Sequence, residues 1–328
     1  MSIRQMAKPY AAPIDNVAWA HLWITALLYG AVIALGTIYW GNFPVQALAA
    51  VMFLGGSIRF FGIQHDCGHL SYFSSRRVNE VVGIITGAFT GNPYYAMRYN
   101  HNRHHAYIGN LDERESHEVL TWTVAEYIAA TPRQKLFYRI YRSAFTLYFL
   151  GPILIIFFRY RYPKNAAKPG LLDIIMQNTL MFSFWGGLYF VFGWQCFAFF
   201  IGASVFTACF GTFMVFAGHN YKDAYWEHAQ DCDFEEASLK GSSVLDFGKV
   251  FHFLTFNFAF HDLHHLHARI PCYRLQDCHI ALRGALQPTR MSFVEAVSCI
   301  KWKLWDETTG KMVRFADLPQ TQGMHPAE

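Results

Sequence analysis

Eight histidines of this chain fall in three tight clusters: His65-Asp-Cys-Gly-His69, His101-Asn-Arg-His104-His105 and His261-Asp-Leu-His264-His265. Histidine is the commonest metal ligand among side chains. Residues three and four apart share one face of a helix. The first cluster therefore offers two imidazoles side by side, and each of the others offers three. His219, in Gly218-His-Asn-Tyr221, brings the candidates to nine. Nine nitrogens are too many for one ion and suit two ions, with four or five each.

Imidazole accepts Zn, Cu, Fe or Ni, so ligand type alone does not choose the metal. A structural zinc site would take four ligands and include cysteine. A two-metal hydrolase would bring carboxylates into the set. Neutral nitrogen ligands leave the metals electron-poor, which suits oxidation better than water activation. Ligand histidines usually give their second N–H to a nearby carboxylate or amide. Asp66, Asn100, Asp112, Asn257 and Asp262 flank the clusters and are expected in that role. Cys67 falls two residues from both His65 and His69, on another side of the helix, and is not expected to bind. His21, His117, His228, His252, His267, His279 and His325 are isolated or out of register and are read as non-ligands.

The elements that hold these groups are apolar. Charged residues make up 15% of the chain, against roughly 25% in soluble domains. Asn16 to Ser57 contains no Asp, Glu, Lys or Arg, and neither does Ile174 to Tyr221. Each stretch accommodates two helices of about 20 residues, the length that crosses a bilayer core. Breaks fall at Gly41-Asn-Phe-Pro44 and at Gly193-Trp-Gln195. The expected spans are about residues 18–40, 44–63, 171–192 and 196–217. A large soluble core is the weaker alternative, because buried helices of that length usually carry charge on an outer face.

All 27 Lys and Arg residues lie outside the two turns, so the turns are expected outside and both termini in the cytosol. All nine histidines then emerge on the cytosolic face. The apolar stretches near 81–97 and 143–158 are expected to lie on the membrane as interfacial helices. If either alone crossed, the clusters would be parted. The net charge of +4 fits a surface beside anionic lipid and gives no nucleic-acid footprint. No cleavable signal peptide is expected in the opening segment. Seven cysteines, odd in number and without a C-x-x-C pair, read as free thiols in a reducing compartment. The reading is one all-α membrane domain over residues 1–328: four spans in two hairpins under a helical cytosolic cap that holds a di-metal site. The tail after Lys303 is expected to be a surface appendage. A metal transporter would place its ligands near the bilayer midplane, whereas these spans are nearly free of such groups.

With these residues in place, the chain resembles the membrane fatty acid desaturases, whose boxes read H-x-x-x-H, H-x-x-H-H and H-x-x-H-H. The likeness is to acyl-lipid enzymes of the omega-6/delta-12 type. It extends through Gly109-Asn-Leu-Asp112, Asp223-Ala-Tyr-Trp226, Gly241-Ser-Ser243, Arg269-Ile-Pro271 and Tyr273-Arg-Leu-Gln276. The resemblance implies two Fe ions held by His65, His69, His101, His104, His105, His219, His261, His264 and His265. It also implies O2-dependent desaturation of an acyl lipid or acyl thioester. Electrons would come from a separate carrier of ferredoxin or cytochrome type, since no His-Pro-Gly-Gly motif or cysteine cluster is fused here. The chain departs from the pattern at His219-Asn-Tyr-Lys222, at Asp262 and at Ser116-His-Glu118. Every ligand position is intact, but related hydroxylases share those ligands, so the outcome at the substrate carbon stays open.

Overall fold

The computed structural model describes residues 2–116 and 119–318. Long helices dominate: α1 Asp15–Ile38, α2 Phe43–Gly68, α3 Arg76–Thr90, α4 Tyr94–Ala106, α5 Leu171–Phe192 and α6 Trp194–His219. Shorter ones follow: α7 Phe234–Lys240, α8 Lys249–Leu254, α9 His261–Leu266 and α10 Cys272–Leu282. Local chemistry sets their ends. Asn42 caps α2 by accepting from the Val45 amide at 3.3 Å, with Pro44 in the first turn. The single residue Gly193, at φ 88°, turns α5 into α6, a conformation that costs glycine little.

Three helices are long and apolar enough to cross a membrane: α1, α2 and α6. A fourth crossing exists if the bent pair Pro132–Tyr141 and Thr146–Arg161, angled at 55°, counts as one span. The third expected span does form a helix, α5, at the expected place. Asp173, Gln177 and Asn178 dilute its first half, and it is not among those three. α2 packs on α1, α3 and α6, and α5 packs on α6 and α3. Aromatic residues fill the seams, among them Tyr29, Phe53, Phe60, Phe199 and Phe200.

The expected helix near 143–158 does form, running through two π-helical turns, Thr146–Leu150 and Leu154–Phe158. Two expectations need correction. The stretch 81–97 is not one helix: Gly91 in the left-handed region ends α3, and Pro93 starts α4. The segment after Lys303 is no appendage. Strand β4 (Leu304–Asp306) pairs in parallel with β1 (Trp122–Thr123) and antiparallel with β5 (Lys311–Val313). Leu304, Trp305 and Met312 are buried there. A second small sheet joins β2 (Val244–Leu245) to β3 (Arg290–Met291).

The first of these sheets reaches the histidines through Arg142, which is fully buried. Its guanidinium donates to the Asn220 side chain at 2.6 Å and to the Trp302 carbonyl at 3.0 Å. Asn220 in turn donates to the Cys299 carbonyl at 3.0 Å. The residue beside His219 is thereby tied to the approach of β4.

Candidate metal centre

Four elements deliver the nine histidines. His65 sits in the last turn of α2 and His69 caps that helix. His101, His104 and His105 lie in the second half of α4, His219 ends α6, and α9 carries His261, His264 and His265. The metal-facing atoms fall into two groups. In one, the atoms of His65, His69, His101, His105 and His264 all lie within 4.8 Å of one another. In the other, those of His104, His219 and His265 do the same. His261 Nε2 completes the second group, 2.9 Å from His219 Nε2 and 3.1 Å from His265 Nε2.

The division follows helix periodicity. In an H-x-x-H-H box the first and last histidines are four apart and lie nearly in line along the helix, while the middle one points to their other side. His101 and His105 accordingly join the first group and His104 the second. His261 and His265 join the second group and His264 the first. Each H-x-x-H-H box thus serves both groups, and the His105 and His265 rings stack between them at 4.3 Å.

The donor set fits metal ions better than it fits hydrogen bonding. Successive Nε2 atoms are 2.6 Å apart for His65 and His101, 2.9 Å for His101 and His105, and 2.9 Å for His105 and His264. A ring nitrogen has either one proton or one lone pair in its plane, so a file of four cannot be well paired. Nitrogens each about 2.1 Å from an ion, at right angles, would lie about 3 Å apart. His69 Nε2 is buried with no hydrogen-bond partner among the described residues. Burial and neighbouring imidazoles hold His101, His105, His264 and His265 well below the usual histidine range. Burial, then His219, does the same to His261, and burial brings His69 down to about 4. Neutral rings keep their lone pairs for a metal.

Two groups orient the ligands from behind. His65 Nδ1 donates to Asp66 at 3.0 Å, and His219 Nδ1 donates to the Gly241 carbonyl at 2.9 Å. Both bonds leave Nε2 free to face inward. The other expected partners engage elsewhere, because neighbours in sequence point to different sides. Asn100 donates to the Lys164 carbonyl at 2.7 Å and accepts from Asn165. Asp112 accepts from exposed His228 at 2.9 Å and from the Ala229 amide. Asn257 donates to the Cys272 carbonyl at 3.2 Å. Asp262 is fully buried, and neither of its oxygens has a partner among the described residues. Burial raises its carboxyl to about 6.

The Gly241 carbonyl and the Cys272 amide, which binds Asp66 at 2.6 Å, went unforeseen. Backbone groups leave no mark in a sequence; only the Gly241-Ser-Ser243 stretch hinted at the first. Of the histidines read as non-ligands, His21 meets Arg59, His252 meets Asp246, and His279 approaches Arg290. His117 and His325 lie outside the described residues.

Comparison with known proteins agrees with this geometry. The sequence profile of the family described as fatty acid desaturase matches residues 40–296. A fatty acid desaturase of Bacillus subtilis (strain 168) is 30% identical over 296 residues, 90% of this chain and 82% of that protein. An sn-1 oleoyl-lipid 12-desaturase of Synechocystis is 27% identical, with the same coverage. An sn-1 acyl-lipid omega-3 desaturase (ferredoxin) of a Nostoc strain is 24% identical over 86% of this chain and 77% of that protein. The clustered histidines fall inside the matched region, and the chain belongs to the fatty acid desaturase family, whose members are oxidoreductases.

Proposed function

We propose that the nine imidazoles hold two iron ions, five nitrogens on one and four on the other, and that the chain introduces a double bond into the acyl chain of a membrane lipid. The observation that carries this is the convergence of nine histidines into two adjacent groups, with no carboxylate or cysteine of the described residues in either. Iron bound there would supply O2 activation and removal of two hydrogens from neighbouring methylenes, with water as by-product and two electrons from outside.

The protein's own contribution is position and exclusion. Asp66 and the Gly241 carbonyl hold the Nδ1 protons of His65 and His219, which fixes their tautomers. The Phe258 ring packs on His65 at 4.9 Å and on His264 at 5.9 Å and gives the first group an apolar wall. The seven cysteines include no C-x-x-C pair, which supports an external electron carrier. The Nostoc relative's name points to a ferredoxin, with a cytochrome as the other candidate. The histidine groups and both termini are assigned to the cytosolic side, supported by the absence of Lys and Arg from the turns at Gly41 and Gly193.

Expression in a host of known lipid composition, with metal analysis of the purified protein, tests the proposal. Two irons per chain and acyl products lighter by two hydrogens are expected. One tightly held zinc would end the di-iron assignment, and products heavier by one oxygen would replace desaturation with hydroxylation.

A further inference from the structure

Beside the metal centre, and separate from it, lies a cavity of about 350 Å3 lined by Arg59, His21, Lys249, His252, Asn257 and Tyr273, among others. None of its lining residues is acidic. Arg59, on α2, is 3% exposed and pairs with no carboxylate among the described residues. It donates to Thr25 at 3.0 Å, to the Phe253 carbonyl at 2.9 Å and to His21 Nδ1 at 3.1 Å, and it stacks on Phe256 at 4.3 Å. A guanidinium has five N–H groups, so two are left over. Since His21 Nδ1 accepts, its Nε2 carries the proton and is a further donor. His252 is buried, and its Nδ1 has no partner among the described residues. Asp246, which accepts from His252 at 3.2 Å, is also paired with Arg290 at 2.9 Å. A cation inside a membrane helix with no counter-charge is costly and marks a binding function by default.

We propose that this cavity seats the phosphate of an acyl glycerolipid headgroup, with Arg59 and Lys249 as counter-charges. Depth favours a lipid as the source. α2 has 26 residues, whereas a hydrocarbon core takes about 20. Counted from Pro44, that leaves Arg59 within about a turn of headgroup level and His65 just past it. Helix α8 exposes Val250 and Phe253 next to Lys249, the mixture of apolar and cationic groups that settles at an anionic interface. The route to the metals is short. Arg59 and His65 are about 9 Å apart along the axis of α2, at 1.5 Å per residue. The Phe256-Asn257 wall leads straight into Phe258, whose ring packs on His65 and His264. Headgroup and acyl carbons would be held at opposite ends of one path. The inference rests on the desaturase reading for what the bound lipid is used for, but not for the binding itself.

Native mass spectrometry of the full-length protein in detergent tests it, with dioleoyl phosphatidylglycerol, dioleoylglycerol, oleoyl-coenzyme A and inorganic phosphate as probes. One copy of the phosphatidylglycerol should bind about tenfold or more tighter than dioleoylglycerol, the scale of one charge-assisted bond. Lys249→Gln should weaken it several-fold, and Arg59→Gln should remove the preference. If Arg59→Gln does not fold, Lys249→Gln carries the test. Equal binding of dioleoylglycerol, a preference for the coenzyme A ester, binding of phosphate without the lipid, or no effect of the folded variants would overturn the proposal. Binding is measured with and without iron. A protein that selects phosphatidylglycerol yet holds no iron refutes the metal reading alone; a di-iron protein blind to the headgroup refutes the cavity alone.

Discussion

Asp66 and Cys272 join the first histidine cluster to the segment just past the third. One oxygen of the Asp66 carboxylate accepts from His65 Nδ1 at 3.0 Å, and the other accepts from the Cys272 amide at 2.6 Å, 206 residues away in sequence. A single carboxylate therefore sets both the tautomer of His65 and the spacing of two histidine-bearing elements.

Asp66→Asn should keep the shape but weaken the orientation of His65. Iron affinity is expected to fall about 10- to 100-fold, the usual scale for a lost ligand partner. Asp66→Ala should also destabilise the fold by about 1–3 kcal/mol, because the buried Cys272 amide is left unpaired. Iron titration and thermal unfolding in detergent read the two effects separately; unchanged iron affinity in both variants would refute the orienting role.

His219→Ala should abolish turnover about as fully as His104→Ala, and the double variant should be no worse, since the ligands act as one unit. His228→Ala should stay near wild type, because His228 is exposed and, among the described residues, bonds only Asp112 and Glu307. Acyl analysis after expression of each variant checks this, with membrane insertion verified alongside. A fully active His219→Ala would remove the ninth ligand.

Burial, with Arg290 and His252 nearby, brings His279 down to about 4 in the folded protein, against an unfolded value of about 6.5. Between those values the unfolded chain binds the extra proton, so stability is complete above pH 6.5 and is lost as pH falls towards 4. His279→Gln should flatten that part of the melting-temperature profile. An unchanged slope between pH 6.5 and 5 would show that His279 does not contribute.

Topology reporters at Gly41 and Gly193 should read as outside, and one at Lys164 as cytosolic. The bent pair Pro132–Tyr141 and Thr146–Arg161 is the competing crossing. A reporter at Lys164 found outside would mean that this pair spans.

Much of this was legible because histidine spacing and charge-free runs are properties of residues in order. The H-x-x-H-H spacing put three imidazoles on one side of α4 and of α9. It did not show which group each side of the box would face, which depends on how the helices meet one another. Asn100, Asp112 and Asn257 stand near the clusters in sequence, but helix rotation and turns send their side chains elsewhere. The α5 helix was found at its full length, but its polar first half weakens the apolar signal that located it.

The link from Trp302 through Arg142 to Asn220 has a consequence for how the gene tolerates damage. A premature stop after Lys301 would spare every long helix and every clustered histidine. It would nevertheless delete the carbonyl that steadies Arg142 and Asn220, next to His219. Such a product should reach the membrane at nearly normal size, react with any antibody raised to its front half, and lose the ordered placement of His219. A frameshift that removes Trp302 should therefore score as a loss-of-function allele.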